Sequence, residues 1–362
     1  MSVDEAERRH DPVSVVYRTA PGVDAIDQHS RHMVAALNAA GIDAAYVASG
    51  VRHHDLPTGS VILQYQPFSY GRWGFAPGLI EAARRARRRG DVRLTLMVHE
   101  AWVTMLDWRS SLMGAWQRMQ LRALVHLADC VMTSTEALAR DLGHAAVHVP
   151  VPANVVPVDS SPHAARARLG LDAKLAVGLF GRAHESRALD HAEAAIAALA
   201  PAVGTDHLAI INLGADAPAV SVPAGVEVRS PGTLAPDRLS LHLWACDLVL
   251  LPFTDGVSTR RSTLMAALAH GCPVVGSLGH NTDTVLAAAN EALVLTPVGD
   301  RRAFAEVAAA LAVDPARRLA IGETGRRLYQ ERFDWPVLAR TIARLIGEPP
   351  PRRATGPVPV AP

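Results

Sequence analysis

The chain has 362 residues, of which 49% are hydrophobic and 20% charged, enough for two globular domains with separate cores. Its formal net charge of +1 argues against a general nucleic-acid-binding protein, which needs a strongly basic face. Lys174 is the only lysine among the 36 basic residues, and it precedes a predicted strand. Schiff-base and pyridoxal-phosphate chemistry, which needs a reactive lysine, is therefore close to excluded. The abundant Ala, Val and Arg are typical of a GC-rich bacterial genome.

The cysteines and the ends of the chain indicate its compartment. Cys130, Cys246 and Cys272 are scattered beside apolar segments without a CxxC pair, which favours buried free thiols in a reducing compartment. The N-terminus lacks the apolar segment of a signal peptide, and no apolar run approaches the roughly 20 residues of a membrane span. We expect a soluble, cytoplasmic protein.

Strand-like runs alternate with amphipathic helices in the first half of the chain. The predicted strands are Val13–Tyr17, Ala44–Val47, Val61–Tyr65, Arg93–Val98, Cys130–Thr133 and Ala146–Val149. The predicted helices between them include Gln28–Ala40, Leu79–Arg89 and Leu112–Ala128. The stretch Val151–Arg166 has three prolines and no clear period, so it is predicted to be a linker.

A second alternating series follows the predicted linker. Its predicted strands are Leu175–Leu179, Leu208–Leu213, Val226–Arg229, Leu248–Leu251, Val274–Gly276 and Leu293–Thr296. Its predicted helices include Asp190–Ala200, Pro236–Ala245, Leu264–His270, Arg301–Leu311 and Pro315–Phe333. A further helix, Trp335–Ile346, precedes a proline-rich tail from Glu348 that we expect to be disordered.

This alternation predicts an α/β protein with two tandem Rossmann-like domains and a binding cleft between them. The predicted boundaries are 1–160 for the N-terminal domain and 161–333 for the C-terminal domain. Residues 334–347 form the last helix, and 348–362 form the tail.

The segment from Cys246 to Val275 contains the strongest functional pattern, a strand, a polar turn with glycine, a helix and a second strand. After the strand, the turn at Asp255-Gly256 leads to Ser258, Arg260, Arg261, Ser262 and Thr263, where the helix begins. Helix N-termini bind anions, and arginine binds phosphate through a forked pair of donors. The turn therefore suits a diphosphate, although an ordinary turn with solvated arginines fits the same residues.

The second half of the chain resembles nucleotide-sugar glycosyltransferases of the GT-B fold, in particular the large retaining group called family 4. The resemblance rests on VGLFGRAHESRALDHAEAAIAAL, PGTLAPDRLSLHLWACDLVLLPF, AHGCPVVGS and FDWPVLARTIARL. It implies that Gly181, Arg182 and Arg187 bind the donor diphosphate, and that Gly232 and Thr233 lie beside the nucleobase.

The resemblance also extends to the turn after the fourth strand of this half. It places Asp255 at the family's first glutamate, where it would contact the donor sugar, and Gly256, Val257, Ser258 and Arg261 in the donor site. The family's second glutamate, which holds the ribose, falls on Ala266, which has no carboxylate. Either Ser262 and Thr263 take over this contact, or ribose binding is weaker, or the correspondence is shifted here.

The first half resembles the family more loosely, as an acceptor-binding domain. TAPGVDAIDQHSRHMVAAL implies that Gly22, Asp24 and Asp27 lie near the reaction, and ILQYQPFSYGRWG provides Gln66 and Tyr70 as polar acceptor contacts. LTLMVHEAW ends a strand with His99 and Glu100, which we expect to act at the catalytic centre. A structural hydrogen-bonded histidine and a capping glutamate are the ordinary alternatives for this pair.

Three other polar or basic segments carry weaker signals. His53-His54-Asp55 match no metal-ligand spacing, so no metal site is predicted. The run Arg84–Arg89 is expected to be the end of a helix. WRSSLMGAWQRMQLRALVHL could lie on a membrane as a basic amphipathic helix, but its apolar positions also fit packing on the sheet, so no membrane contact is expected.

These residues together predict a glycosyltransferase that moves a sugar from a nucleoside-diphosphate donor to a small-molecule or glycan acceptor. We expect retention of configuration, no metal and no other cofactor, and a UDP-sugar as co-substrate because UDP is common in the family. Two alternatives stay open, another GT-B enzyme such as a nucleotide-sugar epimerase and a non-catalytic binding protein. The sequence indicates neither the acceptor nor the oligomeric state.

Overall fold

The computed structural model describes residues 12–18, 24–48, 56–103, 107–143, 146–214, 216–217 and 219–347. Gly22, His53-His54-Asp55 and the tail from Glu348, which the sequence analysis singled out, lie outside these residues. The chain divides into two compact units, Met1–Pro150 with Trp335–Pro362 (unit 1) and Val151–Asp334 (unit 2).

Unit 1 contains a parallel sheet of six strands in the order β2-β1-β3-β4-β5-β6. These are β1 (Val13–Tyr17), β2 (Ala44–Ala48), β3 (Gly59–Tyr65), β4 (Val92–Val98), β5 (Cys130–Thr133) and β6 (Ala146–His148). The helices between them are α1 (Ala25–Ala39), α2 (Pro67–Tyr70), α3 (Pro77–Arg89), α4 (Trp108–Leu127) and α5 (Glu136–Leu142). The central strands are buried on both faces, which explains their near-continuous apolar sequences.

Unit 2 also contains a parallel sheet of six strands, in the order β12-β11-β10-β7-β8-β9. These are β7 (Leu175–Phe180), β8 (Leu208–Leu213), β9 (Glu227–Arg229), β10 (Leu248–Leu251), β11 (Val274–Leu278) and β12 (Val294–Pro297). The helices are α6 (Pro162–Leu169), α7 (Leu189–Val203), α8 (Pro236–Trp244), α9 (Ser262–Ala269), α10 (Thr284–Ala287), α11 (Arg301–Ala312) and α12 (Pro315–Arg332). The last helix, α13 (Trp335–Gly347), belongs to unit 1 and packs on α1.

The prediction of an α/β protein with two Rossmann-like sheets is confirmed, and each predicted strand is present with its bounds shifted by at most a few residues. The predicted linker is wrong in part, because α6 begins inside it at Pro162. The side chain of Ser161 accepts a hydrogen bond from Ala164 N and caps this helix. Ala153 and Val155 are buried in the core of unit 2, so the start of this stretch also packs as part of the unit.

None of the helices in the described part of the chain is both long and apolar enough to cross a membrane.

Candidate functional site

The chain order of unit 2 creates a switch point between β7 and β10. From β7 the chain first builds outward through β8 to β9, and then returns to the other side of β7 to add β10, β11 and β12. In open parallel sheets, ligands bind beyond the carboxyl ends of the strands at such a point. Gly181 follows β7, and the turn with Asp255 and Gly256 follows β10, so both predicted donor segments lie at this edge.

Two glycines leave bare backbone at the carboxyl ends of β7 and β8. Gly181 has φ 124°, and a Cβ there would lie 2.8 Å from Arg187 Nη1. Gly214 has φ 144°, and a Cβ there would lie 2.9 Å from the Gly181 carbonyl oxygen. Side chains are therefore excluded at both positions by backbone conformation and by space.

Arg187 is buried next to these glycines, with 8% of its surface exposed. Its Nη1 donates to the Phe180 carbonyl oxygen at 2.8 Å, and its Nε has no hydrogen-bond partner among the described residues. No carboxylate in the described part of the chain forms an ion pair with it. Burial, and then the charge of Arg261, lower the pKa of the Arg187 guanidinium to about 10. The site thus contains a buried positive charge without a matching negative one.

Arg261 contributes a second positive charge and is partly neutralised. Its guanidinium carbon lies 3.6 Å from the ring centroid of Phe253, and that of Arg187 lies 5.7 Å from the same centroid. Arg261 Nη2 donates to Asp255 Oδ1 in a very short ion pair. Asn281 Nδ2 donates to the other oxygen of Asp255 at 3.1 Å. The Asp255 carboxylate is therefore fixed within the arginine cluster.

The turn after Asp255 depends on glycine. Gly256 has φ 93°, and a Cβ there would lie 2.4 Å from Thr282 Oγ1 and 2.5 Å from Gly279 N. Val257 is buried and its backbone N donates to the Ser277 carbonyl oxygen at 2.8 Å. The turn is thereby fixed against the loop that follows β11.

The residues after this turn differ in their solvent exposure. Ser258 is buried, and its Oγ has no hydrogen-bond partner among the described residues. Ser262 and Thr263 are half-buried at the first two positions of α9. Ala266, on which the resemblance placed the family's second glutamate, is fully buried in the hydrophobic core and has no polar side-chain atom.

The other predicted donor residues are exposed or follow the edge strand of the sheet. Arg182 is exposed and forms an ion pair of 2.9 Å with Asp216, so its charge is already compensated. Gly232 and the exposed Thr233 follow β9, which is the edge strand and lies two strands from β7. The structure thus brings Gly181, Arg187, Asp255 and Arg261 together.

Unit 1 has its own switch point, between β1 and β3. A chain of hydrogen-bonded side chains crosses the carboxyl ends of β1, β3 and β4 at this point. Tyr17 Oη donates to Asp24 Oδ2 at 2.9 Å and lies 2.7 Å from Ser69 Oγ. Ser69 Oγ donates to Gln66 Oε1 at 2.8 Å, and Gln66 Nε2 donates to Glu100 Oε2 at 3.2 Å. Three predicted residues, Asp24, Gln66 and Glu100, are thereby joined in one polar network.

The two aspartates of α1 have further partners. Asp24 is the N-cap of α1, and its Oδ1 accepts from Ile26 N at 2.9 Å. Asp27 accepts from Tyr46 Oη at 2.6 Å and from Arg31 Nε at 2.9 Å, and these hydrogen bonds lower the pKa of its carboxyl although burial opposes them. Asp24 is therefore part of the network, whereas Asp27 is paired beside it.

His99 is also buried in unit 1. Its Nε2 lies 2.6 Å from Gln64 Oε1, and its ring meets the ring of His29 edge-on at 5.3 Å. Burial, followed by the charge of His99, lowers the pKa of His29 well below its usual range. Tyr70, predicted as an acceptor contact, is also buried, and its hydroxyl donates to the Gln64 carbonyl oxygen at 2.6 Å.

Three residues that connect the predicted ones were not predicted from the sequence, namely Tyr17, Ser69 and Gln64. Tyr17 is the last residue of β1, and Gln64 is the next-to-last residue of β3. A polar side chain near the carboxyl end of a parallel strand is the signal that could have indicated them.

Comparisons with known proteins give matches at the level of structure alone. Neither the family models nor the curated proteins give a match to this chain. Among solved structures, sucrose-phosphate synthase from Thermosynechococcus elongatus has a TM-score of 0.66 at 15% identity, covering 93% of this chain and 98% of that one. Anabaena HepE in complex with UDP and glucose gives 0.65 at 15% identity, covering 93% and 100%. WaaG, a glycosyltransferase involved in lipopolysaccharide biosynthesis, gives 0.63 at 14% identity, covering 93% and 100%. The chain therefore has the fold of these solved glycosyltransferase structures.

Proposed function

We propose that this protein is a glycosyltransferase that binds a nucleoside-diphosphate sugar at the switch point of unit 2 and an acceptor at that of unit 1. The observation that carries the proposal is Arg187, a buried guanidinium without a carboxylate partner among the described residues, beside the bare backbone of Gly181. A buried charge without a counterion is costly, so such a site is suited to an anion. A diphosphate carries the charge and the oxygen acceptors that two arginines can bind.

The arginine cluster would assist the step in which the donor bond breaks. When the bond between the sugar and the diphosphate breaks, negative charge grows on the diphosphate oxygens. Arg187 and Arg261 are already held in place, by the Phe180 carbonyl oxygen and by Asp255, and need not reorganise. Asp255, which Arg261 and Asn281 fix, would accept hydrogen bonds from sugar hydroxyls.

The network in unit 1 would position the acceptor. Glu100 is exposed and belongs to a hydrogen-bonded series that ends at Asp24, so an acceptor hydroxyl could bind to carboxylate and amide oxygens there. His99 is buried, and its hydrogen bond with Gln64 would orient the Gln64 side chain. The similar structures support a sugar nucleotide as donor, since HepE was solved in complex with UDP and glucose and in complex with UDP-glucose. We therefore propose a UDP-sugar as the first donor to test, with transfer by retention and without a metal ion.

Release of nucleoside diphosphate tests this function. The purified chain is incubated with a panel of UDP-, GDP- and ADP-sugars, with and without EDTA, and with a mixture of sugar and polyol acceptors. We expect one nucleotide class to be turned over, EDTA to have no effect, and Arg187→Met to lower turnover about 10²- to 10³-fold. Arg182→Met should lower it much less, because Arg182 is exposed and paired with Asp216.

Two results would favour the alternatives. Conversion of the donor into an isomer without an acceptor would indicate an epimerase. Binding of a nucleotide, with no turnover of any donor and acceptor pair, would indicate a non-catalytic protein. If EDTA inhibits turnover and added Mg²⁺ or Mn²⁺ restores it, the enzyme requires a metal ion, and the proposal of a metal-independent reaction is wrong.

A further inference from the structure

The loop between β7 and α7 and the turn after β10 are joined through their backbones in unit 2. Thr254 N donates to the Ser186 carbonyl oxygen at 2.8 Å. Next to this hydrogen bond, Arg187 and Phe253 form an isolated antiparallel bridge. Residues directly opposite each other in an antiparallel pair present their side chains on the same face. The backbone therefore brings the side chain of Phe253 next to that of Arg187.

The ring of Phe253 lies near two guanidiniums. The guanidinium carbon of Arg261 lies 3.6 Å from the ring centroid, and that of Arg187 lies 5.7 Å from it. At 3.6 Å the Arg261 guanidinium must lie over the face of the ring, since the hydrogens at the ring edge hold other groups farther from the centroid. The face of an aromatic ring is its negative part and attracts cations. Phe253 is only 5% exposed, so water weakens this attraction little.

The two guanidiniums repel each other. Burial, and then the charge of Arg261, lower the pKa of Arg187 to about 10. Arg261 is paired with Asp255, whereas Arg187 forms no ion pair within the described part of the chain. Like charges that are buried together repel strongly because little water screens them. The ring of Phe253 attracts both guanidiniums without adding a charge of its own.

An aromatic ring and a phosphate use different parts of a guanidinium. The N–H groups of arginine lie in the guanidinium plane, and phosphate oxygens accept hydrogen bonds along that plane. A ring attracts the cation through its π face and leaves most of these donors free. In Arg187, Nη1 donates to the Phe180 carbonyl oxygen, and Nε has no partner among the described residues. The Phe253 ring therefore stabilises the arginines without competing with an anion, as a carboxylate would.

We propose that Phe253 is a positioning residue of the donor site, whose ring holds Arg187 and Arg261 together as one receptor for the diphosphate. An aliphatic side chain of similar size would leave the repulsion between the two arginines uncompensated. The anion would then have to order both of them when it binds, which lowers its affinity. This inference rests on the proposed function, because it concerns the same diphosphate site.

Diphosphate binding by the purified full-length protein tests this role. Isothermal titration with inorganic pyrophosphate, UDP, GDP and ADP identifies the probe that the wild type binds most tightly. Phe253 is then replaced, by suppression of an amber codon, with phenylalanines that carry one, two or three fluorine atoms. Fluorine withdraws negative charge from the ring face while the shape of the side chain stays almost constant. We expect the Kd of the probe to rise with each fluorine, by about tenfold in total. Phe253→Leu, which has no ring, should raise it at least as much.

A second measurement, without ligand, separates a ring that attracts Arg261 from a ring that only fills space. The equilibrium constant for unfolding in urea is compared for fluorinated and unmodified Phe253, in the wild type and in Arg261→Met. Three fluorines should raise this constant about fivefold more in the wild type, because Arg261→Met has no charge over the ring. The same unfolding curves show that each variant folds.

Phe333 provides the matched control. It belongs to the same hydrophobic core as Phe253 and is 2% exposed, and no guanidinium among the described residues lies over its ring. Fluorination of Phe333 should therefore leave the Kd of the probe unchanged.

The outcomes distinguish this role from the proposed function. If the wild type binds none of the diphosphates, the proposed donor site is wrong and the role of Phe253 falls with it. If the wild type binds a probe but fluorination of Phe253 leaves its Kd unchanged, the positioning role is wrong and the donor site stands. Equal effects of fluorination on the unfolding of the wild type and of Arg261→Met would also overturn the role, as would an equal rise in Kd on fluorination of Phe333.

Discussion

Replacement of Arg187 by methionine should leave the ligand-free protein about as stable as the wild type. The pKa of the Arg187 guanidinium falls from 12.5 to about 10 on folding. At one pKa unit for about 1.4 kcal/mol, its charge costs the folded state about 3 kcal/mol. Both folded and unfolded chains carry this proton at neutral pH, so the full cost is present there. It declines as the pH rises from about 10, the folded value, to 12.5, the unfolded value.

Arg187→Met removes this cost but also removes one hydrogen bond. The bond from Nη1 to the Phe180 carbonyl oxygen involves a charged donor and contributes about 2 kcal/mol. The two terms nearly cancel, so the free energy of unfolding should stay constant or rise by about 1 kcal/mol. A buried arginine with a proper partner behaves differently, since its loss costs about 3–5 kcal/mol.

Arg166 is the matched control in the same unit. It forms a very short ion pair with Asp247 and donates to the carbonyl oxygens of Leu171 and Lys174 at 2.7 and 2.6 Å. Arg166→Met should therefore destabilise unit 2 by about 3–5 kcal/mol. Urea unfolding of the wild type and of both variants, followed by tryptophan fluorescence and circular dichroism, gives the comparison.

The same experiment with ligand completes the prediction. A nucleoside diphosphate at a hundred times its Kd should stabilise the wild type by about 2.7 kcal/mol, and Arg187→Met should lose this gain. The reasoning is refuted if Arg187→Met is destabilised as much as Arg166→Met. It is equally refuted if Arg187→Met keeps the full stabilisation by nucleotide.

Three further predictions follow from glycine geometry, a buried histidine and the network of unit 1. Gly256→Ala should lower the free energy of unfolding by about 3 kcal/mol or more, measured by thermal unfolding, because the new Cβ would clash with backbone atoms. Gly41→Ala should lower it by only about 1 kcal/mol, because Gly41 has φ 81° but open space around its Cβ position. Burial lowers the pKa of His270 to about 4, so the native state resists protonation, and stability should fall by about 3 kcal/mol as the pH drops from 6.5 to 4. His270→Gln should flatten this pH dependence of urea unfolding. Tyr17→Phe should raise the KM for the acceptor and leave the KM for the donor unchanged, since the lost hydroxyl orients Asp24 in unit 1.

Each of these has a clear contrary result. Equal losses for the two glycine variants would show that the close approach at Gly256 does not constrain the turn. An acid-induced loss of stability that persists in His270→Gln would assign the titration to another group. A change in the donor KM alone in Tyr17→Phe would place the network outside acceptor binding.

The strands and most helices could be predicted from sequence because their signals are local. A strand that is buried on both faces must be apolar throughout, and β8 and β10 were predicted with their observed bounds for this reason. The signals of α6 were equally local, namely Ser161 as the cap, Pro162 in the first turn and Gly170 at the end. They were outweighed by the prolines around them, which suggested a linker.

The composition of the candidate sites could be predicted in part. The turn with Asp255 and Arg261 was named from a local motif, and Gly181 and Arg187 were named from the family resemblance. The structure places these four residues together at one edge of the sheet. Sequence could not distinguish Arg182 from Arg187, because both follow β7 within a few residues. Only the folded turn decides that Arg187 is buried while Arg182 is exposed and paired with Asp216.

The sequence by itself thus determined the α/β class, the two series of strands and the residue types that suit a diphosphate, since each depends on neighbours along the chain. Tertiary structure alone decided the order of the strands, and with it the switch points at which residues distant in sequence meet. It also decided which face of α4 is buried, because Gln117 and Gln120 find their partners in the turn at Trp73. Periodicity shows that a helix has two faces, but only the contacts across space determine which of them packs inward.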